Sequence, residues 1–293
     1  MTFASSSRHF FVPLHHKVNI MGSKKILFIG QEITPYVPET VMSLNGRQIP
    51  QAIQESGCEI RTFLPKWGNI NERRNQLHEV IRLSGMNIII NDTDHPLIIK
   101  VATLQAAHMQ VYFIDNEDFF QKRLMVADKS GKEYTDNYER SIFYVRSVME
   151  TIKKLRWYPD IIHCQGWISA TTPFYLKNVY CEETPFANTK VVYSLYDNPL
   201  SALIPGNFKE CLAFRNVTPE SIDKQNLSLN SPTDFDKFAI SFSDGVVVSS
   251  ENIQSDVLEF ARQRNIPIID NCRENETSES VAQRFSDFYD SIY

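Results

Sequence analysis

Ile26-Leu27-Phe28-Ile29-Gly30 is a short apolar run with β-branched and aromatic members, and together with the thirty-five residues after it this run decides the fold. Such a run, closed by glycine, reads as a buried parallel strand. A helical pattern comes next: Ile49, Ala52 and Ile53 recur on one face, and Ser56-Gly57 ends it with glycine just past the last turn. Glu59-Ile60-Arg61-Thr62-Phe63-Leu64 is then a second strand, stopped by Pro65. Strand, helix, strand within about 40 residues is a βαβ unit.

Working outward, Asn87-Ile88-Ile89-Ile90 and Leu97-Ile98-Ile99-Lys100-Val101 are strand-like, with the turn-rich Asn91-Asp92-Thr93-Asp94-His95-Pro96 between them. This predicts a β-hairpin inserted into the α/β order. Val111-Tyr112-Phe113-Ile114 is the next core strand. The spacing predicts a long helix over 136–157. Its apolar stripe is Tyr138, Ile142, Val145, Val148, Met149, Ile152 and Leu155. Asp136 or Asn137 is placed to cap it, Glu139 lies in its first turn, and Lys153, Lys154 and Arg156 form a solvated last turn. Strands are predicted at 161–163, 191–195, 246–248 and 266–269, and helices at 169–179, 234–241, 253–263 and 278–289. Residues 199–232 read as polar and irregular. The whole is an α/β chain with a Rossmann-like, doubly wound, mostly parallel sheet over 23–293, ending in a helix. Residues 1–22 read as a disordered extension, with Met21 the expected natural start.

Composition narrows the function. A net charge of −5 provides no basic field for nucleic acid. No apolar run approaches the ~20 residues that span a bilayer. Residues 1–22 have no long apolar segment and do not resemble a secretory signal. The five cysteines include no CxxC pair, which favours reduced thiols in a cytoplasmic protein over disulfides or a cysteine-rich zinc site. His15-His16 sit in the extension and are not expected to hold a metal.

In doubly wound sheets ligands sit beyond the carboxyl ends of the strands. That selects residues 31–41, 164–168 and 196–200. Glu32 is there either a functional carboxylate or a helix-capping acid. His163 is either a core histidine satisfied by hydrogen bonds or a base. Trp167 is suited to stack on a sugar ring and equally to pack at a helix start. Tyr196 and Asp197 stand at a strand-to-loop junction where turn chemistry competes with binding. Asp136, Asn137 and Arg140 read as a cap and an ion pair. Gly30-Gln31 is not a dinucleotide fingerprint, and no phosphate-loop lysine is present.

Segments spread along the chain resemble the starch/glycogen synthase family. Residues 25–36, ending Gln31-Glu32-Ile33-Thr34-Pro35-Tyr36, resemble its opening strand and Ser-Glu-x-x-Pro-Phe stretch. Tyr134-Thr135-Asp136-Asn137-Tyr138-Glu139-Arg140 resembles its Tyr-x-Asp-Asn-x-Glu-Arg helix start. Pro159-Asp160-Ile161-Ile162-His163-Cys164-Gln165-Gly166-Trp167 resembles Pro-Asp-Ile-(hydrophobic)-His-x-His-Asp-Trp. Ser243-Asp244-Gly245-Val246-Val247-Val248-Ser249 resembles the strand that closes the first domain. The resemblance implies one half of a GT-B fold, the side carrying much of the glucan acceptor surface. A second domain in that family binds the nucleotide and transfers glucose from ADP-glucose with retention, needing no metal; no cofactor is expected.

The departures fall at ligand positions. The family's Lys-x-Gly-Gly-Leu loop aligns with Pro38-Glu39-Thr40-Val41-Met42, so the phosphate-facing lysine and the paired glycines are absent at Pro38, Thr40 and Val41. Losing such a charged contact costs about 2–3 kcal/mol. The second histidine and the aspartate become Gln165 and Gly166, and a later His-Asn pair becomes Tyr196-Asp197. The resemblance therefore implies substrate-side residues at Glu32, Tyr36, His163, Gln165, Trp167, Tyr196 and Asp197, and no confident catalytic residue. Two functions are expected. One is a synthase half that is inactive alone and needs a partner chain. The other is a non-catalytic domain that binds α-glucan or a protein and regulates polysaccharide storage. Partners are α-glucan and a second chain, or a second copy, across an exposed cleft face.

Overall fold

The computed structural model describes residues 24–271 and 276–293; the expectations for residues 1–22, with His15, His16 and Met21, and for Cys272 lie outside them. The strands are β1 (Lys25–Ile29), β2 (Glu59–Pro65), β3 (His78–Glu79), β4 (Asn87–Ile90), β5 (Thr93–Pro96), β6 (Ile98–Leu104), β7 (Met109–Asp115), β8 (Ile161–Gln165), β9 (Lys190–Leu195), β10 (Gly245–Val248) and β11 (Ile268–Asp270). The helices are α1 (Val41–Glu55), α2 (Asn137–Leu155), α3 (Thr172–Asn178), α4 (Phe208–Leu212), α5 (Pro219–Asp223), α6 (Pro232–Ser241), α7 (Ser255–Gln263) and α8 (Ser278–Ser291). The main sheet has nine strands in the order β11-β10-β9-β8-β1-β2-β7-β6-β3. It is parallel from β11 through β7, and β6 and β3 are antiparallel at one edge. This is the mixed, mostly parallel α/β sheet expected.

The chain leaves β1 in one direction through β2 and β7, then returns to the other side through β8. The switch point therefore lies between β1 and β8, where Ile26 pairs with Ile161 and Ile29 with Cys164. Alternate side chains build the two layers. Ile26, Phe28, Ile161, Val192 and Val247 pack under α1 and α8 with Ile53, Phe285 and Phe288. Leu27, Ile29, Ile162 and Val191 pack under α2, α3 and α6 with Ile142, Val145 and Phe238. Every member of the α2 stripe from Tyr138 to Ile152 is buried.

The inserted hairpin differs from the expected one. Asn91 and Asp92 take left-handed φ of 44° and 62° and form a two-residue turn, so β4 pairs with β5, through residues read as loop. Residues 98–104 instead join the main sheet, paired with β7 along their whole length from Ile98–Asp115 to Leu104–Met109. That pairing satisfies more backbone groups than a four-residue partner offers. The stretch 199–232 is not wholly irregular: it holds α4 and α5, and Thr218 and Ser221 cap α5 reciprocally.

The start of α2 also differs. Asp136 stands at the N-cap without a side-chain cap bond; its carboxylate instead takes Arg123 Nη2 at 2.5 Å. Arg140 forms no ion pair with it. Its guanidinium is fully buried and donates to the carbonyls of Phe119, Leu124 and Met125 and to Asn137 Oδ1 at 2.7–2.9 Å. The arginine thus ties loop 119–125 to the helix. Lys153 is not simply solvated but reaches Glu183 at 2.9 Å. Cys58, Cys164, Cys181 and Cys211 are free thiols. No helix among the described residues is long and apolar enough to cross a membrane.

Candidate binding cleft at the carboxyl edge of the sheet

A cleft of about 720 Å³ opens beyond the carboxyl ends of β1, β9, β10 and β11. Its walls include Glu32, Thr40, Val41, Tyr196, Asp197, Ser249, Glu251 and Asn271, with Asn45 and Gln48 from α1. Among the described residues the lining contains carboxylates, hydroxyls and amides but no lysine or arginine.

The wall at α1 is set by a capping box. Thr40 is extended at the N-cap; its Oγ1 accepts from Ser43 N at 2.9 Å, and Ser43 Oγ accepts from Thr40 N at 2.9 Å. Thr40 Oγ1 also donates to Glu32 Oε2 at 2.5 Å. A carboxylate therefore already complements the positive end of this helix, where a bound phosphate would otherwise go. Gly46 lets the helix approach so closely: a Cβ there would lie 2.1 Å from the Glu32 carbonyl oxygen. Gly46→Ala must push α1 off the Glu32 loop, and we expect a loss of about 1–3 kcal/mol in chemical denaturation.

The opposite rim is braced from below. Asn45 Nδ2 donates to Tyr196 Oη at 3.2 Å, and Asp197 accepts from Ser250 Oγ at 2.7 Å and, more weakly, from Asn252 Nδ2 at 3.4 Å. Beneath them Asp236, buried on α6, accepts from Tyr193 Oη and Asn198 Nδ2, both at 3.0 Å. Burial pushes the Asp236 carboxyl up to about 6. The folded chain thus holds this proton more tightly than the unfolded chain. Stability should fall as pH rises from about 4 to about 6, by up to about 3 kcal/mol. Asp236→Asn should flatten that slope in denaturation measured across the window.

Of the residues singled out from sequence, the cleft brings together Glu32, Thr40, Val41, Tyr196 and Asp197. Pro38 is exposed outside its walls. Tyr36 is buried edge-on against Phe113, and burial pushes its hydroxyl up to about 12. His163 is fully buried; Nδ1 meets Tyr289 Oη and Nε2 meets Ser194 Oγ, both at 2.7 Å. Burial lowers its imidazole to about 3, so it stays neutral and links β8 to α8 and β9. Gln165 and Trp167 are buried beneath the switch point, and Gln165 Nε2 and Trp167 Nε1 lack partners. Ser249, Ser250, Glu251, Asn252 and Asn271 were not anticipated, although they follow β10 and β11 just as Glu32 follows β1.

Gly166 has φ +76° and ψ 173°, and a Cβ there would meet Gln31 Oε1 at 2.4 Å. The Gln31 side chain fills the space into which an aspartate at 166 would project, and its Nε2 rests on Met125 Sδ at 3.3 Å.

These features, a mostly parallel sheet with a cleft at its carboxyl edge, define a Rossmann-like α/β domain. The starch synthase catalytic domain family matches residues 25–266, and the chain belongs to that family. Relatives include the glycogen synthase of Chlorobium limicola, 34% identical over 199 residues, covering 68% of this chain and 40% of that protein. The glycogen synthase of Chlorobaculum tepidum is 33% identical over 200 residues, covering the same shares. Among solved structures, the catalytic domain of starch synthase IV from Arabidopsis thaliana, bound to ADP and acarbose, superposes with a TM-score of 0.61 at 17% identity. The match covers 77% of this chain and 44% of that one, and establishes the shared fold. The chain thus spans about 40% of the length of the glycogen synthases it matches.

Proposed function

We propose that this chain is a glycogen/starch synthase-like domain whose cleft holds a neutral α-glucan and does not hold a sugar nucleotide. The observation that carries this reading is the lining. Glu32, Asp197 and Glu251 face the cleft with Ser249, Asn45, Gln48 and Asn252, and among the described residues no cation does. Sugar hydroxyls both donate and accept, so they suit carboxylates and amides. A diphosphate brings only acceptors and negative charge, which these carboxylates repel. Residues 24–293 by themselves are then non-catalytic. They act as a glucan-binding domain that tunes polysaccharide storage. The free thiols support a reducing, cytoplasmic setting.

Maltohexaose should raise the melting temperature, because binding to the native state must. Asp197→Ala should remove that rise while leaving the ligand-free melting temperature within a few degrees. A maltohexaose-independent melting temperature in the parent chain would rule the reading out.

One observation favours a partner chain over the same face. Val41 and Leu44, at the cleft wall, are 63% and 46% exposed. A second chain seated there would cover them, and one that carries a nucleotide-binding half would complete the transferase. Gel filtration at two concentrations tests the homodimer, and Val41→Glu should hold the chain monomeric if the face is used.

A further inference from the structure

Beyond Tyr196 and Asp197 the cleft rim runs on through residues 198–202, and side chains of the domain hold that segment at two places. At one end Asn198 Nδ2 donates to Asp236 Oδ2 at 3.0 Å and to the Pro232 carbonyl at 3.3 Å, while Asn198 Oδ1 accepts from Leu200 N at 3.0 Å. At the other end Glu133 accepts from Ser201 N at 3.0 Å and Ala202 N at 3.1 Å, and Tyr138 Oη donates to the Ala202 carbonyl at 2.8 Å. Asp236 is 6% exposed, and its other oxygen accepts from Tyr193 Oη at 3.0 Å.

Both Asp236 oxygens therefore face donors. An ionised carboxylate suits that setting; a protonated one brings an O–H that needs an acceptor. A proton on Oδ2 would point at the Asn198 amide nitrogen. That amide can accept it only by turning its oxygen inward, and its nitrogen then meets the Leu200 N–H that the oxygen served. A proton on Oδ1 can pass to Tyr193 Oη only if that buried hydroxyl turns its own proton away from the carboxylate. The titratable groups around Asp236 are Tyr193 from β9, Tyr138 from α2, Asp256 from α7 and Asp234 on its own helix. Lys237, on the same helix, is spent on Asp256 at 2.7 Å, and Asp234 on the amides of Asn230 and Ser231. Burial outweighs the donors and holds the Asp236 carboxyl at about 6, so its charge changes between about pH 5 and pH 7.

We propose that Asp236 is a positioning residue that makes the cleft rim responsive to pH. Ionised, it anchors Asn198 and fixes the neighbouring Asp197 for the ligand. Protonated, it releases Asn198, and the rim from 197 to 200 loosens. The ligand in this regulation rests on the glucan reading of the cleft; the movement of the rim does not. The sign separates the movement from overall stability. Global stability falls as pH rises toward about 6, because the folded carboxyl is raised, whereas the anchoring of Leu200 grows over the same interval.

The test is amide hydrogen exchange of the full chain, expressed as protection factors so that the intrinsic pH dependence cancels. Protection of the Leu200 amide should rise by about fivefold or more from about pH 5 to about pH 7.5. Asp236→Asn keeps one oxygen but carries a permanent donor, and should show the low value at both. In a parallel calorimetric titration, maltohexaose should bind the parent chain about threefold or more tightly at the higher pH. Asp236→Asn should bind weakly at the higher pH, and any slope it retains belongs to Glu32, Asp197 and Glu251 in the cleft. If Asp236→Asn fails to fold, Asn198→Ala, which cuts the tether and keeps Asp236, should show the same weakened binding. A Leu200 step without maltohexaose heat at either pH keeps the switch and removes the glucan reading. Leu200 protection that is flat across the interval, a step undiminished in folded Asp236→Asn, or maltohexaose binding of equal strength at both pH values overturns the proposal.

Discussion

Gly166→Asp should destabilise the chain by about 2–6 kcal/mol, and Gln31→Ser in the same chain should return the steric part of that loss. The sum has two sources. A Cβ at 166 would stand 2.4 Å from Gln31 Oε1, an overpacking that costs about 1–3 kcal/mol. The backbone at φ +76°, ψ 173° lies in a region that only glycine enters freely, and an aspartate there adds about 1–3 kcal/mol. Serine at 31 is the residue of the family pattern, as aspartate is at 166. Each change restores what the other excludes. Denaturation of the single and double variants should therefore give a favourable coupling of about 1 kcal/mol or more. Strict additivity would mean that Gln31 does not fill the space left at Gly166.

Lys100→Met should cost about 3–5 kcal/mol. Lys100, on β6, reaches Asp115 at the end of β7 at 2.8 Å and Glu72 at 2.7 Å. Glu72 keeps a second partner in Lys66 at 3.1 Å, but Asp115, almost wholly buried, would retain among the described residues only the Asn116 amide at 2.9 Å. An uncompensated buried carboxylate is the expensive outcome; removing both charges is not. The Lys100→Met/Asp115→Leu double variant should recover most of the loss in the same urea titration. A single variant within about 1 kcal/mol of the parent would show that Asp115 is solvated.

The alternation of buried strands and striped helices was legible because parallel strands covered on both faces must be apolar throughout. β1, β2, β8 and β9, with α2 and α8, announce themselves that way. The inserted hairpin was misplaced because a cluster of Asn, Asp and Pro reads as a long turn. Only Asn91-Asp92 turn; Thr93 to Pro96 then pair. Partners across the fold leave no local signal: nothing near Asp136 shows that Arg123 will hold it, or that Arg140 will spend its donors on carbonyls. At the cleft, position at a strand end found Glu32, Tyr196 and Asp197. It also selected His163, which shares its sheet face with Ile161 and so points under α8 rather than toward solvent. Ser249 and Asn271 obey the same strand-end rule at β10 and β11, beyond the three segments 31–41, 164–168 and 196–200 to which the sequence reading applies it.

Isothermal titration of the purified chain with maltohexaose and with ADP-glucose, at low ionic strength, puts the cleft's ligand preference to the plainest trial. A cleft walled by Glu32, Asp197 and Glu251, with no cation among the described residues, predicts heat of binding for the oligosaccharide and none for the sugar nucleotide. Saturable binding of ADP-glucose, lost in the presence of Val41→Glu at the α1 wall, would contradict it.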